Sequence, residues 1–228
     1  MCATDGIIYP GYSYHKDNKN MIILPGIEEQ TGNITQDCLK TLVVFVGGCA
    51  DDFAQPVLGG VFPSYESAYG RGSTRIQDVC YSEYGCGKVP PVMQKWFDAK
   101  QKIVLVGHSW GGNGVVKLAE ENQNITIELL VTLDPVSRLR SGDEEKPSNV
   151  KRWLNVYVDY DVADHSAPNM VARTGGPWGK CINADENIIV NINESTDKNG
   201  SIIKTTNALG HADANAMFVR VENEVIKL

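Results

Sequence analysis

Apolar residues in this chain gather in short unbroken runs rather than in long amphipathic stripes. The clearest are residues 41–46 (TLVVFV), 103–106 (IVLV), 126–133 (TIELLVTL), 153–158 (WLNVYV) and 187–192 (NIIVNI). Runs of that length, rich in β-branched residues, fit strands buried on both faces, as in a parallel sheet. Residues 77–81 read as a further strand, residues 20–24 as one stopped by Pro25-Gly26, and residues 33–40 as a return towards the core. Between the runs the pattern changes period. Residues 90–100 put Val92, Trp96 and Ala99 on one helical face with Pro91 near its start. Residues 115–121 have helical composition, and Ala214, Met217, Phe218 and Val221 follow i, i+3, i+4, i+7 spacing. Strand alternating with helix predicts an α/β fold: a mostly parallel, twisted sheet with helices on both faces.

The remaining segments say less. Residues 1–40 are polar and rich in turn formers, residues 53–72 fit part helix and part flap, and residues 141–149 fit a charged surface loop. Residues 170–180, with Gly175-Gly176-Pro177-Trp178-Gly179, read as a structured loop carrying an aromatic plug. Its length suits a lid or pocket wall, and packing is the simpler role.

Length and composition narrow the classes. A chain of 228 residues, 42% hydrophobic and 21% charged, fits one domain spanning 1–228 with a substantial core. A net charge of −7 argues against a binder of nucleic acid or of anionic membrane surfaces. No stretch has the length of a membrane-spanning helix, and the N-terminus lacks the basic-then-apolar signature of a Sec leader. The expectation is a cytoplasmic protein, or one exported by another route. The cysteines (Cys2, Cys38, Cys49, Cys80, Cys86 and Cys181) have no metal-ligand spacing. Free thiols in a reducing compartment are expected, and only Cys80 and Cys86 are close enough in sequence to suggest a bridge.

The chemistry concentrates in residues 102–121. The strand-like IVLV runs into Gly107-His108-Ser109-Trp110-Gly111, and helical composition follows at once. A serine in a tight strand-to-helix turn is lifted above the C-terminal edge of the sheet, and glycines at the flanks avoid clashes with strand and helix. Ser109 is therefore the candidate nucleophile. The N–H of Trp110, at the start of a helix, is the candidate first oxyanion donor.

With those flanks, GHSWGG resembles the nucleophile turn of lipases and esterases in the α/β-hydrolase superfamily, and the resemblance runs from about residue 41 to the C-terminus. It implies a second oxyanion donor after the strand at 41–46, at Cys49 with Ala50 close behind. Gly47 stands where many relatives carry histidine, so the correspondence concerns backbone alone. It implies an acid and then a base further along the chain. Asp134, in LDP at the end of the strand at 126–133, matches the acid of a subset of lipases. Its alternative role is to cap a helix after Pro135. Asp161 and Asp164, past the next strand, stand nearer the superfamily's more usual acid position and are rivals. His211 lies between the last strand and the last helix, where the fold places its base. Of the other histidines, His15 is in the irregular N-terminal region and His165 in a loop. His108 is expected to point away from Ser109.

The resemblance implies hydrolysis of an ester, thioester or amide through an acyl-enzyme, without metal or organic cofactor, with a lipid or phospholipid acyl ester as the favoured substrate and transient membrane contact. Similarity to the lipase-like effectors of bacterial contact-dependent (type VI) secretion would add an inhibitory partner protein. An amidase or acyltransferase using the same residues, and a non-catalytic binding protein on the same fold, are the alternatives.

Overall fold

Odd and even residues of the central strands part to opposite faces of one sheet, as the two-residue period of a strand requires. Val43 and Phe45 enter one core, with Val104, Val106, Leu129 and Val131. Leu42, Val44 and Val46 enter the other, with Ile103, Leu105 and Leu130. Both faces are covered, which explains why these strands are apolar throughout instead of alternating.

The computed structural model describes residues 12–16 and 21–25 as backbone strands, and residues 41–49, 51, 56–70, 77–83 and 89–228 in full. Cys2, Cys38, Ala50, Cys86, the side chain of His15 and the expected return at 33–40 lie outside the described residues. The main sheet contains β1 (Tyr12–Lys16), β2 (Met21–Pro25), β3 (Thr41–Gly47), β4 (Gln77–Glu83), β5 (Lys102–His108), β6 (Ile127–Leu133), β7 (Val150–Tyr157) and β8 (Glu186–Ile189). Their order is β1-β2-β4-β3-β5-β6-β7-β8. β2 runs against both of its neighbours. From β4 to β8 every pairing is parallel.

Helices cover the two faces. A π-helical turn (Pro56–Val61), α1 (Phe62–Tyr69), α5 (Ala214–Val219) and α6 (Glu222–Ile226) lie on the Phe45 side. There Phe45 meets Phe62, Tyr65 and Phe218 edge-on, with ring centroids 6.3, 5.4 and 5.3 Å apart. α2 (Val89–Asp98) and α3 (Trp110–Glu121) cover the other face through Val89, Met93, Val115, Val116 and Ala119. Cys80 and Cys181 are buried free thiols, and Cys49 is an exposed one. Among the described residues no helix is long and apolar enough to cross a membrane.

Two expectations change. Residues 170–180 are not one loop: α4 (Ala167–Gly175) occupies much of the segment, after Ser166. Trp178 takes the simpler of its two expected roles, a buried packing residue of the second core. The strand expected at 187–192 stops at Ile189, and the polar stretch after it forms a separate hairpin of β9 (Ile192–Thr196) and β10 (Ile202–Thr206). Nearly every residue of that hairpin is exposed, so neither of its faces carries an apolar pattern that would reveal it.

The chain leaves β3 towards β4 on one side and, from β5 onward, proceeds to the other. The crevice between the C-terminal ends of β3 and β5 is thus the switch point, where open α/β sheets bind ligands.

Candidate active site

Ser109 sits in the sharp turn from β5 into α3 with φ 58° and ψ −126°. That positive-φ conformation is costly for a residue with a side chain. The turn is held all the same: the Ser109 N–H donates to the Leu133 carbonyl at 3.0 Å, and its own carbonyl accepts from Gly112 and Val136. Gly111 lets α3 approach closely, because a Cβ there would run into the carbonyls of Val46 and Gly47. Among the described non-glycine residues only Lys100, Ser109 and Asp134 have positive φ. Two of the three are candidate site residues, and strain of this kind collects at functional sites.

His211, in the loop before α5, comes to Ser109 from more than a hundred residues away: Nε2 is 2.9 Å from Ser109 Oγ. Its Nδ1 is 2.6 Å from Oδ2 of Asp134. Asp134 is wholly buried, whereas Ser109 and His211 are each 8% exposed, so the line of groups runs from the surface inward. With Nδ1–H donating to the carboxylate, Nε2 is left to accept from the serine hydroxyl. The alternative role for Asp134 does not arise, since no helix follows Pro135; Val136 instead bridges to Pro177.

The rival carboxylates are elsewhere. Asp164 accepts from the Ser166 N–H and from Asn169 Nδ2, which hold its carboxyl below the usual carboxylate range. Asp161 lies exposed in the same loop, as does His165. Both oxygens of Asp134 are occupied: Oδ1 accepts the Val158 N–H at 3.1 Å, and Oδ2 accepts the Tyr160 hydroxyl as well as His211.

The turn after β3 reaches the same place. A Cβ on Gly48 would lie 2.7 Å from Ser109 Cβ and 3.1 Å from Oγ, so the Gly48-Cys49 turn passes directly against the serine. Behind it the Asp51 carboxylate accepts from the N–H groups of Val57 and Leu58 and from the Tyr81 hydroxyl. Asp51 and Tyr81 fill the space beside Gly47, leaving no room there for a histidine side chain.

The eight strands of this order among the described residues, with β2 the one reversed there, and a strained serine between β5 and α3 decide the architecture. This is the α/β-hydrolase fold. No protein-family model matches the chain, and no curated protein matches it significantly. Solved structures similar to it include an α/β-hydrolase enzyme from a Medee basin deep-sea metagenome library (15% identity, 96% of this chain and 99% of that one, TM-score 0.47). Others are a predicted CIB-like hydrolase from Thermoplasma acidophilum (14%, 95% and 98%, TM-score 0.46) and a fluorophosphonate-binding serine hydrolase from Staphylococcus aureus (13%, 94% and 97%, TM-score 0.45). At such identities and scores, the chemistry of this α/β-hydrolase fold has to be read from its own side chains.

Several of those side chains gave no local signal in the sequence. Asn169 of α4 is buried, and its Oδ1 accepts the His211 N–H at 2.8 Å, which ties α4 to the histidine loop. Asn191 bridges the Asp159 N–H and carbonyl at the end of β7. His108 does not simply turn away from the site. Its ring lies against that of His211 (centroids 4.9 Å apart), and Nε2 is 2.8 Å from the His211 carbonyl. Burial, with the nearby His211, pushes the His108 imidazole down to about 3. It therefore stays neutral and adds no charge beside His211.

That burial sets an acid sensitivity. Between the unfolded-state value near 6.5 and about 3, the unfolded chain binds a proton at His108 and the folded one does not. Stability therefore falls as pH drops below about 6.5, by about 2 kcal/mol at pH 5. Urea unfolding at pH 7 and pH 5 should show that loss in the parent protein. In His108→Gln, which keeps a donor for the His211 carbonyl, the loss should be smaller by about that amount. An unchanged difference would mean the ring already titrates normally.

Proposed function

We propose that the protein is a serine hydrolase that cleaves carboxylic acyl esters through an acyl-enzyme, with Ser109 as nucleophile, His211 as base and Asp134 as acid. The observation that carries this reading is the unbroken line Ser109 Oγ, His211 Nε2, His211 Nδ1, Asp134 Oδ2, with links of 2.9 and 2.6 Å. In the first half-reaction Ser109 Oγ attacks the acyl carbonyl carbon while His211 Nε2 takes its proton. The imidazolium so formed is stabilised by the buried Asp134 carboxylate. His211 then returns the proton to the departing alcohol oxygen. In the second half-reaction water, deprotonated by the same nitrogen, attacks the acyl-serine and releases the acid.

The N–H groups of Trp110 and Cys49 serve as the oxyanion donors in this scheme. Trp110 opens α3, where backbone N–H groups and the helix dipole favour negative charge, and Cys49 follows the glycine that touches Ser109. Lipid or phospholipid acyl esters are the substrates we favour. Trp110, beside the nucleophile, is 37% exposed, and α4, which contacts the His211 loop through Asn169, exposes Met170 and Val171. Exposed apolar side chains on the helices that follow the nucleophile and touch the histidine loop suit an acyl chain.

A fluorophosphonate probe tests the reading whatever the natural substrate is. The intact protein should be labelled at Ser109, identified by peptide mass spectrometry, and lose hydrolysis of short and long p-nitrophenyl esters in step. Labelling elsewhere, or none under conditions where the protein is folded, would reject it.

A further inference from the structure

Asp134 Oδ2 has two donors. The Tyr160 hydroxyl donates to it at 2.5 Å and His211 Nδ1 at 2.6 Å, while the same hydroxyl oxygen is 3.4 Å from Nδ1. Oδ1, by contrast, accepts the backbone N–H of Val158 at 3.1 Å. A tyrosine seeking only to satisfy its hydroxyl would be served by either oxygen. This one takes the oxygen that holds the imidazole. We propose that Tyr160 is a positioning residue for the triad, sharing Oδ2 with His211 and thereby setting how strongly the carboxylate holds the imidazolium; the inference rests on the triad reading above.

The phenol is fixed for that role. The Arg173 guanidinium lies over the Tyr160 ring, 5.1 Å from its centroid. Its Nη2 donates to the carbonyls of Tyr160 and Ala163, both at 2.9 Å, and Nη1 donates to that of Asp164 at 2.8 Å. α4 thus holds the loop after β7 through Arg173 and the histidine loop through Asn169. Burial and the Asp134 charge push the Tyr160 phenol well above its ordinary value, so it remains a donor at every working pH.

A second donor on Oδ2 draws electron density from the oxygen that faces His211. Charge-assisted O–H···O⁻ bonds are among the strong ones, so the share is large. Removing the hydroxyl frees the carboxylate for the imidazolium, which becomes easier to form. The acid limb of the rate then moves to higher pH, because the neutral imidazole is the form that takes the serine proton.

The other charged and titratable groups near His211 are each otherwise engaged. His108 is neutral, the Asp213 carboxylate accepts the Gly210 N–H, Asp164 is held by Ser166 and Asn169, and Arg173 acts on the tyrosine ring.

The test uses the full chain and the second-order rate of fluorophosphonate inactivation, measured from about pH 5 to about pH 9. Tyr160→Phe keeps the ring and its contact with Arg173. It should move the midpoint of the acid limb up by about one pH unit, with the plateau rate within a few-fold of the parent. In an Asp134→Asn background the same substitution should leave the limb where Asp134→Asn put it. A fluorinated tyrosine at position 160, a stronger donor, should move the limb down. An unmoved limb in Tyr160→Phe, or the same shift in both backgrounds, overturns the proposal. Should Tyr160→Phe fail to fold, the direction of the fluorotyrosine shift decides alone. Failure of the triad reading looks different, since Ser109→Ala would then be labelled as fast as the parent.

Discussion

Ser109→Ala is expected to lower turnover of any ester the parent protein hydrolyses by about four to six orders of magnitude in kcat. The size follows from how the three side chains would act together in the proposed mechanism. His211 Nε2 has no proton to take once Oγ is gone, and Asp134 then steadies a charge that never forms. Losing the nucleophile alone should therefore cost nearly as much as losing the whole set. What survives is water attack helped by the oxyanion donors, so activity should fall to a low floor and not to zero. The fold should persist. The hydrogen bonds that hold the elbow, the sharp turn from β5 into α3, are made by the Ser109 backbone to Leu133, Gly112 and Val136, and alanine keeps all of them. Far-UV circular dichroism and a urea midpoint close to the parent's, beside the kinetic loss, would separate chemistry from folding. Near-parental kcat in a folded Ser109→Ala would mean that another side chain carries the reaction.

How much of this was legible in the chain depends on whether each feature is written locally. β3, β5, β6 and the 153–157 part of β7 could be read because burial on both faces demands apolar runs with no polar interruption longer than one residue. The elbow could be read because strand, glycine, serine, glycine and helix are contiguous.

α4 could not. Its buried positions, Asn169, Ala172 and Gly175, are polar or small, while Met170 and Val171 face solvent, so the apolar stripe that marks a surface helix is inverted. The β9–β10 hairpin carries no stripe at all, since both faces are wet. The site divides in the same way. Ser109 and His211 followed from position in the alternation of strand and helix. His108, Tyr160 and Asn169 did not, because each makes its defining contact with a residue far along the chain. Tyr160 was further masked by its neighbours: in a run reading DYD, the carboxylates draw attention and the phenol does not.

The acid is the assignment where the three-dimensional arrangement matters most, and its test separates three nearly equivalent residues. Asp134→Asn should lower kcat by about four orders of magnitude. The amide can still accept at one atom, but it cannot balance the imidazolium. If its nitrogen faces Nδ1, it drives the ring to the tautomer that presents N–H to the serine. Burial sharpens the penalty, because no water reaches the position to screen the missing charge. The donors from Val158 and Tyr160 would also face a group that accepts less well. Asp161→Asn should be close to neutral, since Asp161 is an exposed loop residue. Asp164→Asn should cost several-fold at most in kcat, through Asn169 and the loop it holds, and no large part of the chemical step. The measurement is kcat for the three variants on one ester at a pH above the acid limb. The ranking Asp134 far below Asp164, with Asp161 at the parental level, is the expected result. A severe loss in Asp161→Asn beside a mild one in Asp134→Asn would move the acid to the β7 end and require the loop between β7 and α4 to rearrange to bring that carboxylate to His211.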